Sequence, residues 1–108
     1  MSARKAAYVV LWRYRAAAGK EAKLVPFFSA GGPWAQLHGA SKDWLGIELL
    51  ADDERPGEFV SIERWKSEEA ASAFAGEHEA DLDRLDRQIE KLTASEQRIG
   101  AFVPPEGP

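Results

Sequence analysis

The sequence contains no cysteine and no asparagine, and only two histidines in 108 residues. Without cysteine there are no disulfides, no thiolate nucleophile and no zinc or iron–sulfur site built on sulfur. Two histidines exclude a three-histidine metal site within one chain. The missing asparagine excludes N-glycosylation and any mechanism that needs its carboxamide. No apolar run approaches the ~20 residues of a membrane-spanning helix. Gly-rich phosphate loops, G-x-S-x-G elbows and nucleotide-binding fingerprints are also missing. What is there, 44 % hydrophobic and 30 % charged residues, is the composition of an ordinary globular protein. The length suits a single domain over residues 1–108, with a core spanning about 7–103.

The net charge of −4 is unevenly spread: residues 1–30 carry six basic and one acidic side chain, whereas residues 67–99 carry four basic and nine acidic. Basic residues this few, N-terminal and outnumbered argue against a nucleic-acid partner. Arg4 and Lys5 ahead of the apolar run Ala6 to Trp12 imitate a secretory leader, but Arg13 and Arg15 interrupt it, so the segment reads as a strand. The expected location is the cytoplasm, with no membrane contact.

Tyr8 to Arg15 alternates, with Tyr8, Val10, Trp12 and Tyr14 on one face and Val9, Leu11, Arg13 and Arg15 on the other. Good helix formers follow from Gly19 to Val25, and Pro26 should bend or end that helix because it lacks the N–H that would bond to Ala22. Gly31-Gly32-Pro33-Trp34 predicts a turn into a short helix with proline in its first position, stopped by Gly39. Lys42 to Ala51 reads as the second strand, with Leu45, Ile47, Leu49 and Ala51 set against Trp44, Gly46, Glu48 and Leu50. The polar turn around Pro56-Gly57 then leads into a third strand, Glu58 to Lys66, with Phe59, Ser61, Glu63 and Trp65 on one side. Ser67 with Glu68 and Glu69 behind it is a helix N-cap. The helical stretch is too long for so small a domain without a break, expected at Gly76, and Leu82, Leu85, Ile89 and Leu92 form its apolar stripe. A last strand lies within Ser95 to Val103. This order predicts an α+β, ferredoxin-like βαββαβ fold: a four-stranded antiparallel sheet with helices on one face.

Helices on one side leave the other sheet face bare, yet large apolar groups project both ways from the strands. The economical cover is a second copy packed sheet against sheet, giving a homodimer.

Gly19-Lys20-Glu21 at the start of the first helix, Gly32-Pro33-Trp34-Ala35-Gln36-Leu37, Gly46-Ile47-Glu48-Leu49-Leu50 and Glu63-Arg64-Trp65-Lys66-Ser67 resemble the antibiotic biosynthesis monooxygenase family of the dimeric α+β barrel superfamily. Phe74, Leu85-Asp86 and Gly100-Ala101-Phe102 fit it as well, so the likeness runs from Tyr8 to Phe102. The resemblance implies a homodimeric α+β barrel with a small-molecule cavity between sheet and helices in each subunit. It also implies no bound cofactor and no metal, since family members that oxidise polycyclic aromatic polyketides work through polar cavity groups, commonly Asn with Trp, Tyr, Arg or His. The sequence departs from this pattern in having no Asn. It also carries Phe74 where heme-degrading relatives have a helix tryptophan, which argues against heme degradation.

Among individual residues, His38 beside Trp34 is the best candidate base or proton donor; the alternative is a half-exposed loop histidine stacked on Trp34. Trp12, Trp34, Trp44 and Trp65 are more tryptophan than so small a core requires, and indoles hold flat ligands by offset stacking, although most tryptophans serve core or interface. Glu63, sharing a face with Trp65, is either an exposed rim residue or a buried carboxylate whose mate would be Arg13, Arg15 or Arg98. His78 with Asp81 or Glu79 has a spacing used by metal pairs, but it is a common pattern on solvated helices.

The resemblance therefore points to a cofactor-independent monooxygenase for a small aromatic, polyketide-like substrate, with His38 as base. Trp65, Tyr14 and Trp34 would then shape and polarise a pocket that Trp12, Trp44, Phe74 and Glu63 complete. The alternative is a non-catalytic ligand-binding or regulatory dimer of the same fold, favoured by the missing Asn. A third reading is an isomerase or lyase for a small lactone or dienone.

Overall fold

Alternation in the first strand decides how the chain is layered. A computed structural model describes residues 7–105, in which β1 (Tyr8–Ala16) is followed by the helices α1 (Glu21–Phe27) and α2 (Pro33–His38). The hairpin β2 (Trp44–Ala51) and β3 (Glu58–Trp65), the helices α3 (Glu68–Glu77) and α4 (Glu79–Leu92), and β4 (Thr93–Phe102) complete the order. The four strands form one antiparallel sheet in the order β2-β3-β1-β4, the ferredoxin-like arrangement expected from the sequence.

The β1–β3 register opposes Tyr8 to Trp65, Val10 to Glu63, Trp12 to Ser61 and Tyr14 to Phe59, so every one of these side chains lies on one face. Tyr14 and Phe59 pack there with Leu24, Phe27 and Phe28 from the α1 segment and Leu85 and Ile89 from α4, which places the helices and the core on that side. Leu85 and Ile89 belong to the stripe predicted from their spacing.

β2 departs from the expected alternation. A register shift between Trp44 and Gly46 inserts Leu45 as an extra residue, and Gly46 adopts φ 125°, a conformation that favours glycine. The bulge turns Trp44 onto the same face as Ile47 and Leu49, which pack on the core, rather than opposite them. This single kink brings a fourth tryptophan to the helix side.

Pro26 sits inside α1 and ends it one residue later; the Phe28 and Ser29 N–H groups turn back to the carbonyls of Val25 and Pro26 in a tightened last turn. Gly32 is then obligatory, because a Cβ there would collide with the backbone carbonyl oxygens of Pro26 and Phe27. Pro33 opens α2 and Gly39 caps its end. At α3 the Ser67 hydroxyl accepts from the Ala70 N–H at 3.0 Å, a cap worth about 1 kcal/mol.

The helical break falls at His78, not at Gly76, which lies within α3. His78 donates its N–H to the Phe74 carbonyl and accepts from the Leu82 N–H, closing one helix and opening the next. Its ring stacks on Phe74 at 4.2 Å, a contact that holds the bend there.

Among the described residues no helix packs on the opposite sheet face. Val9, Leu11, Val60 and Ile62 lie there, Leu11 directly opposite Ile62, with Leu50 and Phe102 each 48 % exposed. Two sets of charges are paired there: Arg13 bridges Asp52 at 2.9 Å and Glu58 at 3.1 Å, and Arg64 meets Glu48 at 2.8 Å. Among the described residues no helix is long and apolar enough to cross a membrane.

Candidate functional site

A cleft of about 330 Å³ opens between the helix face of the sheet and α2, α3 and α4. Tyr8, Val10, Trp12, Glu63 and Trp65 line it from the strands, Trp34 and His38 from α2, and Phe74 from α3. Room for it comes from small side chains: Ala71 and Ala75, one turn apart on α3, and Ser72 all lie on its wall. Leu82 and Asp86, also one turn apart, close it from α4.

Trp34 and His38 are four residues apart on α2 and therefore stack, with ring centroids at 4.5 Å and planes 22° apart. Phe74 stacks on the same imidazole at 4.7 Å, while Trp44 and Trp65 approach it at 5.7 and 6.0 Å. Four aromatic rings thus enclose His38, leaving it 3 % exposed, which rules out the half-exposed loop histidine. Burial disfavours the imidazolium and lowers the His38 pKa below 6.5, against the opposing attraction of Glu63 and the bond to Trp34. His38 Nδ1 lies 2.8 Å from the Trp34 carbonyl oxygen. A carbonyl only accepts, so Nδ1 carries the hydrogen of the neutral ring and Nε2 keeps a lone pair. Nε2 is 3.7 Å from Glu63 Oε2.

Glu63 is a buried-side carboxylate, but its mates are not the arginines expected from the sequence. Arg13 is engaged with Asp52 and Glu58 on the opposite face of the sheet, Arg15 projects to that same face, and Arg98 is exposed and off the cleft wall. Instead, Oε2 accepts from two neutral donors, Trp34 Nε1 and Trp44 Nε1, each at 2.8 Å. The sequence reading missed this because Trp44 reaches Glu63 only through the bulge.

The remaining candidates are distributed around this centre. Trp12, Trp34, Trp65 and Phe74 are on the cleft wall. Trp44 stands behind Glu63 as its second donor. Tyr14 is in the core rather than on the wall, stacked on Trp12 at 6.2 Å and tilted against Phe28 at 5.4 Å. Burial pushes its phenol well above the ordinary value, with Ser61 acting in the other direction. Tyr8, Leu82 and Asp86 were not singled out as site residues, although alternation and helical spacing align them with Trp12 and with each other. Burial, then Asp83 and Glu90, raise the Asp86 pKa.

A smaller cleft of about 220 Å³ lies on the other flank of α3, and Phe74 is common to both walls. His78 faces it, with Nδ1 3.6 Å from Asp81 Oδ2 while Asp81 is held by Arg84 at 2.9 Å. The pair behaves as part of a helix-surface ion network. No group of three or more metal-ligating side chains is gathered among the described residues.

The profile of the family described as antibiotic biosynthesis monooxygenase matches residues 7–81. The chain belongs to this family. Solved structures agree at the level of the fold. SnoaB from Streptomyces nogalater, a cofactor-independent oxygenase, superposes with a TM-score of 0.73 at 14 % identity, covering 95 % of this chain and 97 % of its own. PA3566 from Pseudomonas aeruginosa gives 0.68 at 18 % identity, covering 97 % of this chain and all of its own (100 %). Rv0793 from Mycobacterium tuberculosis gives 0.65 at 16 % identity over 93 % and 96 %. No curated protein matches the sequence.

Proposed function

We propose that the chain is a cofactor-independent monooxygenase for a small, electron-rich aromatic substrate of polyketide type, working as a cytoplasmic homodimer. The observation that carries this reading is a neutral imidazole whose Nε2 lone pair stands 3.7 Å from a carboxylate at an aromatic-walled cleft. Trp12, Trp34, Trp65 and Phe74 would hold a flat ring system by stacking and exclude water. His38 Nε2 would take the acidic proton of the substrate, and Glu63 would stabilise the imidazolium formed. The electron-rich anion then passes an electron to O₂, and the two radicals combine at the ring carbon. Loss of water leaves a new carbonyl holding one oxygen atom, with the other in the water. Tyr14 would brace Trp12, and Trp44 would fix Glu63. The family membership and the likeness of fold to an oxygenase support the reaction class. The apolar open face of the sheet supports the pairing of two copies.

The enclosure of His38 by four rings favours a second reading, a ligand-binding dimer that performs no chemistry. Oxygen uptake with anthrone separates the two. The monooxygenase consumes one O₂ per anthrone converted to anthraquinone, and His38→Gln abolishes the rate. Saturable binding of anthrone that emerges unchanged, with no uptake above buffer, would overturn the oxygenase in favour of the binder.

A further inference from the structure

Among the described residues, the charged side chains that line the cleft are all of one sign. Glu63 and Asp86 line it, and no lysine or arginine does so among the described residues. Arg98 lies opposite Trp12 in the β1–β4 ladder but is exposed and off the wall. Arg13, Arg64 and Arg84 are each within 2.9 Å of a carboxylate elsewhere. The two indole donors to Glu63 are neutral, so they satisfy its oxygen without cancelling its charge.

Only one of the two Glu63 oxygens is used in this way. Both indoles bond to Oε2, and no donor among the described residues reaches Oε1. No buried side-chain oxygen or nitrogen among those residues lacks a partner, so Oε1 is not fully buried. Its residue lines the cleft, where the aromatic faces of Trp12, Trp34, Trp65 and Phe74 also favour positive charge.

From this we infer that the cleft selects its ligand by charge: it takes a flat aromatic molecule that is neutral or cationic and donates an O–H or N–H to Glu63 Oε1, and it rejects carboxylated and phosphorylated aromatics. This rests on the cleft being the ligand site proposed above and adds the ligand class. A carboxylate would have to approach Glu63 and Asp86 with no cation among the described wall residues to offset the repulsion. A phenol or an arylalkyl ammonium would instead gain a charge-assisted hydrogen bond to a fixed acceptor.

Titration calorimetry with naphthylmethylamine, naphthol, methoxynaphthalene and naphthoic acid near neutral pH tests the inference. The ammonium is expected to bind about tenfold more tightly than the carboxylate. Glu63→Gln keeps an oxygen for the indoles but removes the charge; it should bring that ratio close to one while the affinity for methoxynaphthalene stays within about twofold. Asp86→Asn, at the rim, should lower the ratio by about threefold and keeps the test open if Glu63→Gln fails to fold. Naphthoate binding as tightly as the ammonium, or a ratio untouched in both variants, would overturn the charge selection. Charge preference without oxygen consumption would overturn the oxygenase reading alone, and failure of every naphthalene to bind would overturn both.

Discussion

The two faces of the sheet handle negative charge in opposite ways. Glu63 and Arg64 are neighbours on β3 and point to opposite sides. On the open side three carboxylates have a cation: Asp52 and Glu58 share Arg13, and Glu48 has Arg64. On the helix side Glu63 has two indole N–H groups and a neutral imidazole at 3.7 Å, so its negative charge is held in place without a cation among the described residues. Pairing suits a surface that is to be covered, since it removes net charge from an interface. Holding a bare carboxylate suits a surface that must recognise something, because the site is organised before the ligand arrives.

Charge placed on the open face should have the largest effect. Ile62→Arg sets an unpaired cation among Leu11, Val9 and Val60, and sedimentation should show a dimeric parent and a monomeric variant. A monomeric parent would overturn the pairing, and a variant still dimeric would place the pairing surface elsewhere. A smaller effect distinguishes the carboxylates themselves. Glu63→Leu strands two indole donors and should cost about 2 kcal/mol in urea unfolding. Glu48→Leu, breaking an exposed ion pair, should cost under about 0.5 kcal/mol. Equal losses would erase the contrast between the faces.

The smallest effect is the pH dependence of His38. Its pKa in the fold lies below the free value of 6.5, so as pH falls below 6.5 the unfolded chain binds the proton first and stability declines. The loss levels off once the pH passes the folded value, and it is recovered as pH rises again. Subtracting the His38→Gln melting curve from that of the parent isolates this term. A parent and variant with parallel pH profiles would show that burial of His38 is not what sets its charge.

Much of this was readable from residue order. Period-two spacing placed Phe59, Ser61, Glu63 and Trp65 together, and Ser67 followed by two acids marked the start of α3. Pro33 and Gly39 bounded a helix on which Trp34 and His38 share a face. The partners of Glu63 were not readable. A carboxylate beside tryptophans suggested an arginine mate, because local spacing carries no sign of a bulge. Leu45-Gly46 reads as continuous alternation, and only the ladder with β3 reveals the extra residue that turns Trp44 inward. The break at His78 was hidden for a related reason. Gly76 permits a bend, but the bend occurs where an imidazole finds Phe74 to stack on, a tertiary contact. The role of Ala71, Ser72 and Ala75 as cleft wall was not readable either, because it depends on the facing residues of β3 and α4.

Following backbone and indole N–H resonances while naphthol is added tests most directly whether the helix-side cleft is where this protein meets its ligand. The indole signals of Trp34 and Trp44, both hydrogen-bonded to Glu63, should shift together and saturate, while the amides of Leu11 and Ile62 stay in place. Saturable shifts confined to Leu11 and Ile62, with the two indoles unmoved, would contradict the assignment.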